Sequence, residues 1–155
     1  MTAQLVLILP NIRSAHNVGA MFRTADVCGF DKLYLVGWTA QPPTPQINKV
    51  SLGAEQWMSW EHAPDLQTLI QTLKKDGYQI IGLEHTKESI ALADAPIPPP
   101  LALIVGNEVE GIQPDILAQC DTVVHIPMYG KKESLNVSVA AGIAMYEIRK
   151  RASAA

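Results

Sequence analysis

The sequence predicts an α/β domain with a mostly parallel sheet and helices on both faces. Three observations predict it. Near the N-terminus an apolar run, Gln4–Leu9, leads to a helical stripe and then to a second apolar run, Lys32–Val36. Strand, helix, strand in that order is a βαβ opening, which calls for parallel pairing. Further on, Leu101–Val105 is continuously apolar, as befits a strand covered on both faces. Finally, Val123–Ile148 passes from strand to polar loop to a long apolar helix, the order of elements that builds ligand sites in such sheets.

Each element has its own warrant. Pro10 ends the first strand, and Asn11–Ala15 reads as a loop. A helix is expected from His16 or Asn17 to Cys28, with Val18, Met21, Phe22 and Ala25 as its apolar stripe. Asn17 is its expected N-cap and Gly29 its stop. Thr39–Pro45 is a proline-rich turn, Asn48–Ala54 a short helix broken at Gly53, and Trp57–Trp60 a short strand or loop. Two tryptophans there invite base stacking, but packing in the core or at a subunit interface is the commoner fate and the expected one. Pro64–Asp76 is the clearest helix, with Leu66, Leu69, Ile70 and Leu73 in its stripe and Gly77 after it. Tyr78–Leu83 is the next strand, Ala93–Pro100 a connector, Pro114–Gln119 a helix start and Thr122–Ile126 the last strand.

Composition bounds the function. A chain of 155 residues, 48% hydrophobic and 17% charged, suits one globular domain. No apolar run reaches the length of a membrane span, and Met1–Pro10 lacks a basic n-region and a cleavage site. Cys28 and Cys120 have no metal spacing and read as reduced thiols in a cytoplasmic protein. Twelve basic against 15 acidic residues give −3, which argues mildly against nucleic acid. Arg13, Arg23, Lys131, Lys132 and Arg149–Arg151 can still form a local basic surface; the last three equally suit a helix end, where cations oppose the dipole. No G-x-G-x-x-G and no Walker loop is present, which disfavours a dinucleotide or NTP enzyme.

The chemistry-bearing residues fall in three clusters. Asn17 and Arg23 are nearly two helical turns apart, with Gly19 between them. A glycine in a first helical turn costs roughly 1 kcal/mol against alanine unless something must come close. Arg23 follows Met21 and Phe22, so a partly buried setting is expected for it, with pairing to a core-edge carboxylate as the plain alternative. Gly106–Ile112, GNEVEGI, follows the apolar strand. Glu108 and Glu110 there suggest a metal or a general base, but no histidine or third carboxylate is near in sequence, so no metal is expected. The third cluster is Ser134 and Asn136, ahead of the helix that carries Val137, Ala140, Ala141, Ala144 and Ile148 on one face. Val139, Ile143 and Met145 lie off that face and are apolar too, so a second burial, against another subunit, is expected.

These clusters resemble, in order, the signatures of the SpoU (TrmH-like) family of RNA ribose 2′-O-methyltransferases. N-x-G-x-x-x-R matches Asn17, Gly19 and Arg23; GNEVEGI is similar to the second signature; IPM-x-G-x-x-x-SLNVSVA resembles the third. The resemblance implies a C-terminal trefoil knot, a homodimer with residues of both subunits at the site, and S-adenosyl-L-methionine as methyl donor. It implies a cofactor pocket at Gly106, Ile126, Ser134 and Leu135, with Leu83 and Thr86 beside it. It also implies a polar catalytic set of Arg23, Glu108, Ser134 and Asn136, supported by Asn17. An arginine is a poor literal base, because its pKa exceeds about 12; a clamp on phosphate and ribose suits Arg23 better. The implied reaction is methylation of an RNA 2′-hydroxyl, tRNA ahead of rRNA, without metal or membrane. Members of the family often carry an N-terminal RNA-binding extension; with the first strand beginning at Gln4, a catalytic domain without one is expected. A non-catalytic RNA-binding or assembly protein on the same fold is the alternative.

Overall fold

β1 (Leu5–Pro10) shows how the chain separates its two faces. In the computed structural model, which describes residues 4–154, β1 lies inside a seven-stranded sheet. Its Leu5, Leu7 and Leu9 point into one apolar layer, and Val6 and Ile8 into the other. A side-chain period of two delivers this split, and a strand apolar on both faces must be covered on both. The other strands are β2 (Lys32–Val36), β3 (Ser59–Ala63), β4 (Gln79–Leu83), β5 (Ile90–Ala91), β6 (Leu101–Ile104) and β7 (Thr122–His125). Their order is β3-β2-β1-β6-β4-β7-β5, and every pairing is parallel.

The first layer holds α1 (Ala15–Val27), α2 (Pro45–Ser51) and α5 (Val137–Ala154); the second holds α3 (Leu66–Lys75) and α4 (Pro114–Leu117). Val18, Met21, Phe22 and Ala25 of α1 are fully buried. Burying a side chain of the size of Val, Met or Phe contributes about 1.5–3 kcal/mol each. Gly19 is where α2 crosses. A Cβ there would stand 2.6 Å from the Ile47 carbonyl oxygen and 3.1 Å from its Cα. The glycine in the first helical turn is thus explained by the close approach of a neighbouring backbone.

Several boundaries differ from expectation. Ser14, not Asn17, caps α1: its Oγ accepts the Asn17 N–H at 3.1 Å. α2 starts at Pro45, whose ring suits a first turn, and stops at Leu52 in the left-handed region (φ 55°), before Gly53. α3 begins after an Asp65 cap and not at Pro64, and α4 is only four residues long. β3 continues past Trp60 to Ala63 as an edge strand, held by Lys32 and Glu61 at 2.6 Å. Trp57 is not core: it is 62% exposed and donates its indole N–H to Asp26. β5 and the 3-10 turn Leu92–Asp94 are too short to leave a periodic signal.

α5 buries Ala141, Ala144, Met145 and Ile148. Met145 therefore belongs to the core face, while Val137 and Ala140 turn to a cavity described below. Val139, Ile143 and Tyr146 remain exposed. The basic end of α5 is spent inside the chain. Arg149 donates to the carbonyls of Cys28, at 3.0 Å, and Gly29; Arg151 donates to those of Leu92 and Ala95, at 3.0 and 2.7 Å. These two arginines hold elements together and do not build a free basic surface.

Both cysteines are free. Burial raises the Cys28 thiol above its usual range despite Arg149 nearby, and burial pushes Cys120 up to about 11. Neither should react with a thiol reagent at neutral pH until the protein unfolds, which alkylation followed by mass spectrometry checks. Gly19→Ala should destabilise the protein by about 1–3 kcal/mol, since overpacking against a backbone oxygen outweighs the gain in helix propensity. A higher thermal midpoint for this variant would refute that account of α1 and α2.

Candidate active site

The strands β4, β6 and β7 are neighbours, and the chain leaves their C-terminal ends into one cavity of about 470 Å3. Such crevices are where open α/β sheets hold ligands. Its floor is Leu83 from β4, Val105 and Gly106 after β6, and His125 and Ile126 at the end of β7. Its lid side is Glu133–Ala140, the polar loop and the first turn of α5.

The loop after β6 is folded on itself by three devices. Asn107 and Gly111 form an isolated antiparallel bridge. The Asn107 side chain accepts from Val109 N and Glu110 N, at 2.9 and 3.0 Å, and donates to the Asn11 carbonyl. Glu84 accepts from Ile112 N at 3.0 Å. Gly106 must be glycine here, since a Cβ would stand 2.8 Å from the Gly111 backbone. Gly111 sits at φ 68° directly against the Glu84 carboxylate.

Glu108 then reaches across to α1. Its carboxylate accepts from Arg13 N at 2.8 Å, Ser14 N at 3.0 Å and Asn17 Nδ2 at 2.9 Å. The free N–H groups of a helix start and the positive end of its dipole both favour an anion. Partial burial works to raise the carboxyl. The Arg13 and Asn17 donors, with the backbone of Glu108 and Ser14, override it and hold Glu108 below the ordinary range. Glu108 is therefore an ionised anchor. It and Glu110 do not face one another as a pair; Glu110 accepts from Gln113 Nε2 at 3.1 Å.

Of the expected residues, the cavity gathers Leu83, Gly106, Glu108, Ile126, Ser134, Leu135 and Asn136. Asn17 is buried and joins through Glu108. Asn136 Oδ1 caps α5, accepting from Ser138 N at 2.9 Å and Ser138 Oγ at 2.6 Å. Thr86 does not reach the cavity. Its N–H donates to Ser89 Oγ at 3.0 Å, and its carbonyl accepts from the same hydroxyl at 2.8 Å. Arg23 does not reach it either. It is exposed on α1, not partly buried, and among the described residues it has no carboxylate partner.

Sequence reasoning missed His125. Its ring stacks on that of His85, centroids 4.7 Å apart and planes 18° apart, and its Nδ1 meets Ser89 Oγ at 2.8 Å. The signal was hidden, because nothing in the sequence says that β4 and β7 are adjacent. Among the described residues no three His, Cys, Asp or Glu side chains group as a metal would need.

Residues 4–146 match the model of the SpoU rRNA Methylase family. The chain belongs to this family. A tRNA (guanosine(18)-2′-O)-methyltransferase of Aquifex aeolicus is 34% identical over 148 residues, covering 95% of this chain and 69% of that protein. A 23S rRNA (guanosine-2′-O-)-methyltransferase of Coxiella burnetii is 32% identical over 153 residues, 99% of this chain and 61% of that protein. Both SpoU relatives therefore carry sequence outside the shared part. Among solved structures, the A. aeolicus TrmH/SpoU tRNA modifying enzyme superposes with a TM-score of 0.89 at 31% identity. It covers 99% of this chain and 77% of its own. An AdoMet-bound rRNA methyltransferase from Sinorhizobium meliloti gives 0.90 at 25% identity, covering 97% of this chain and 57% of its own.

The anchor has a pH signature. A carboxyl held below its unfolded value adds stability above about pH 4.3 and loses it as pH falls through the folded value. Thermal midpoints of wild type and Glu108→Gln should accordingly differ most near neutrality and converge in acid. Equal midpoints at pH 7 would show that Glu108 anchors nothing.

Proposed function

We propose that this chain transfers the methyl group of S-adenosylmethionine to a ribose 2′-hydroxyl of RNA, with tRNA ahead of rRNA. One observation carries the reading: residues of the second and third signatures line one cavity, and Asn17 of the first is bonded to its wall through Glu108. The cavity volume lies within the roughly 300–1,000 Å3 typical of small-ligand sites. Its surface is mixed, with Leu83, Ile126, Leu135 and Ala140 to cover a purine and Glu84, Glu108, Glu110 and Glu133 to favour positive charge. That suits a ligand with an adenine, a sulfonium and an ammonium group. S-adenosylmethionine supplies a methyl already activated by its sulfonium, so the protein need only align and polarise the hydroxyl.

Gly106, Ile126, Ser134 and Leu135 form the cofactor wall, with Leu83 beneath. Asn136, its oxygen committed to capping α5, keeps its amide N–H2 for the ribose side. Glu108 positions the start of α1 and does not act as base within its own subunit. Arg23, exposed and outside the cavity of its own chain, serves as the phosphate and ribose clamp of a second copy. The exposed apolar residues Val139, Ile143 and Tyr146 of α5 suit the surface that would bring the copies together. A tRNA target is put first because the A. aeolicus relative, 34% identical, is a tRNA methyltransferase.

Methyl-labelled S-adenosylmethionine should label unmodified tRNA at a 2′-O position. Arg23→Ala should lower the rate by about 100-fold or more while leaving cofactor binding intact, the loss typical of one electrostatic donor. No label and no cofactor binding would leave a non-catalytic RNA-binding protein as the better reading.

A further inference from the structure

A second cavity, of about 360 Å3, lies on the other side of the Asn107–Gly111 loop. Residues of the C-terminal ends of β1 and β2 line it: Pro10, Asn11, Arg13 and Trp38. From the shared loop and beyond come Val109, Glu110 and Gln113. Trp38 is 60% exposed, a large apolar plane left in solvent at the mouth of a pocket. Its backbone is held: Trp38 N donates to Asn11 Oδ1 at 3.0 Å, and the Asn11 carbonyl accepts from Asn107. Arg13 is held the same way, its N–H bound to Glu108 at 2.8 Å. Among the described residues neither the indole N–H of Trp38 nor the guanidinium of Arg13 has a hydrogen-bond partner, whereas Trp57 spends its indole N–H on Asp26.

We propose that this second cavity binds an unpaired nucleobase of the RNA substrate, stacked on Trp38 with Arg13 over the adjoining phosphate. This rests on the methyl-transfer reading of the larger cavity, from which it is separated by one loop. Charge makes the case for stacking. The chain carries −3, and Arg149 and Arg151 are committed to backbone carbonyls. Phosphate contacts alone are therefore a weak source of affinity here. An aromatic plane binds any base through its face and needs no net charge. Glu110 and Gln113, bonded to each other at 3.1 Å, place an acceptor and a donor at the edge of such a base. Glu108 holds the Arg13 backbone, Asn107 holds Asn11, and Asn11 in turn holds the Trp38 backbone. Glu108 and Asn107 also line the larger cavity, so a base seated here holds a neighbouring ribose in register with it.

The test uses the full chain, unmodified tRNA transcript and a short single-stranded RNA. Trp38→Ala should weaken RNA binding by about 10-fold or more, as loss of one base–aromatic stack does. KM for RNA should rise with little change in kcat, and Trp38→Phe should restore most of the loss. Arg13→Ala should lower the slope of log affinity against log salt by about one. S-adenosylmethionine affinity, measured by calorimetry, should be unchanged in all three. If Trp38→Ala and Trp38→Leu both bind RNA as wild type does, the proposal is wrong, whatever the methyl-transfer assay shows. If wild type binds no RNA at all, it is also wrong, and cofactor binding then decides separately whether the larger cavity has been read correctly.

Discussion

One carboxylate holds the site together. Glu108, from the loop after β6, accepts three N–H donors from residues 13, 14 and 17, ninety and more positions earlier in the chain. Parallel pairing of β1 with β6 brings the two segments side by side, but it does not set the loop against the helix. The charge does that, because the helix start has donors without internal partners and a favourable dipole. Asn17 is buried, and its side-chain amide makes one of these three contacts. The first and second signatures are thus two halves of one hydrogen-bonded joint, and the cavity forms on its far side.

Close backbone approaches make the joint possible. Gly106 lets the strand end touch Gly111, Gly111 leaves room for Glu84, and Gly19 lets α2 lie against the same helix that Glu108 grips. Each site trades local propensity for contact between segments far apart in sequence. This explains why a short, acidic chain keeps glycines where a helix or strand would prefer a side chain.

Much of this was legible beforehand for identifiable reasons. Apolar runs marked most of the strands because strands covered on both faces have few polar residues, and the stripe of α1 followed from its period. What failed was adjacency. His125 was unreadable as a partner of His85 because strand order, β6-β4-β7, is not sequence order. Thr86 sits in a turn closed by Ser89 and does not line the cavity, which the sequence does not announce. Arg23 looked half-buried from its neighbours Met21 and Phe22, yet successive helical residues point in different directions and it faces solvent. Asn17 has a side chain suited to an N-cap, but Ser14, three residues before it, fills that role and accepts the Asn17 N–H.

The ties from Arg149 to the carbonyls of Cys28 and Gly29 join residues about 120 positions apart. α1 therefore lacks its final support at one end until α5 has been made, and lacks Glu108 at the other until β6 has been laid down. During synthesis the first helix emerges with both ends unsatisfied, and its apolar stripe has no complete layer to enter. Closing loops of this span carries an entropy cost before the contacts repay it, which slows folding. The segment up to α1 should consequently remain protease-sensitive on the ribosome until α5 has left it, so that these elements fold late and together.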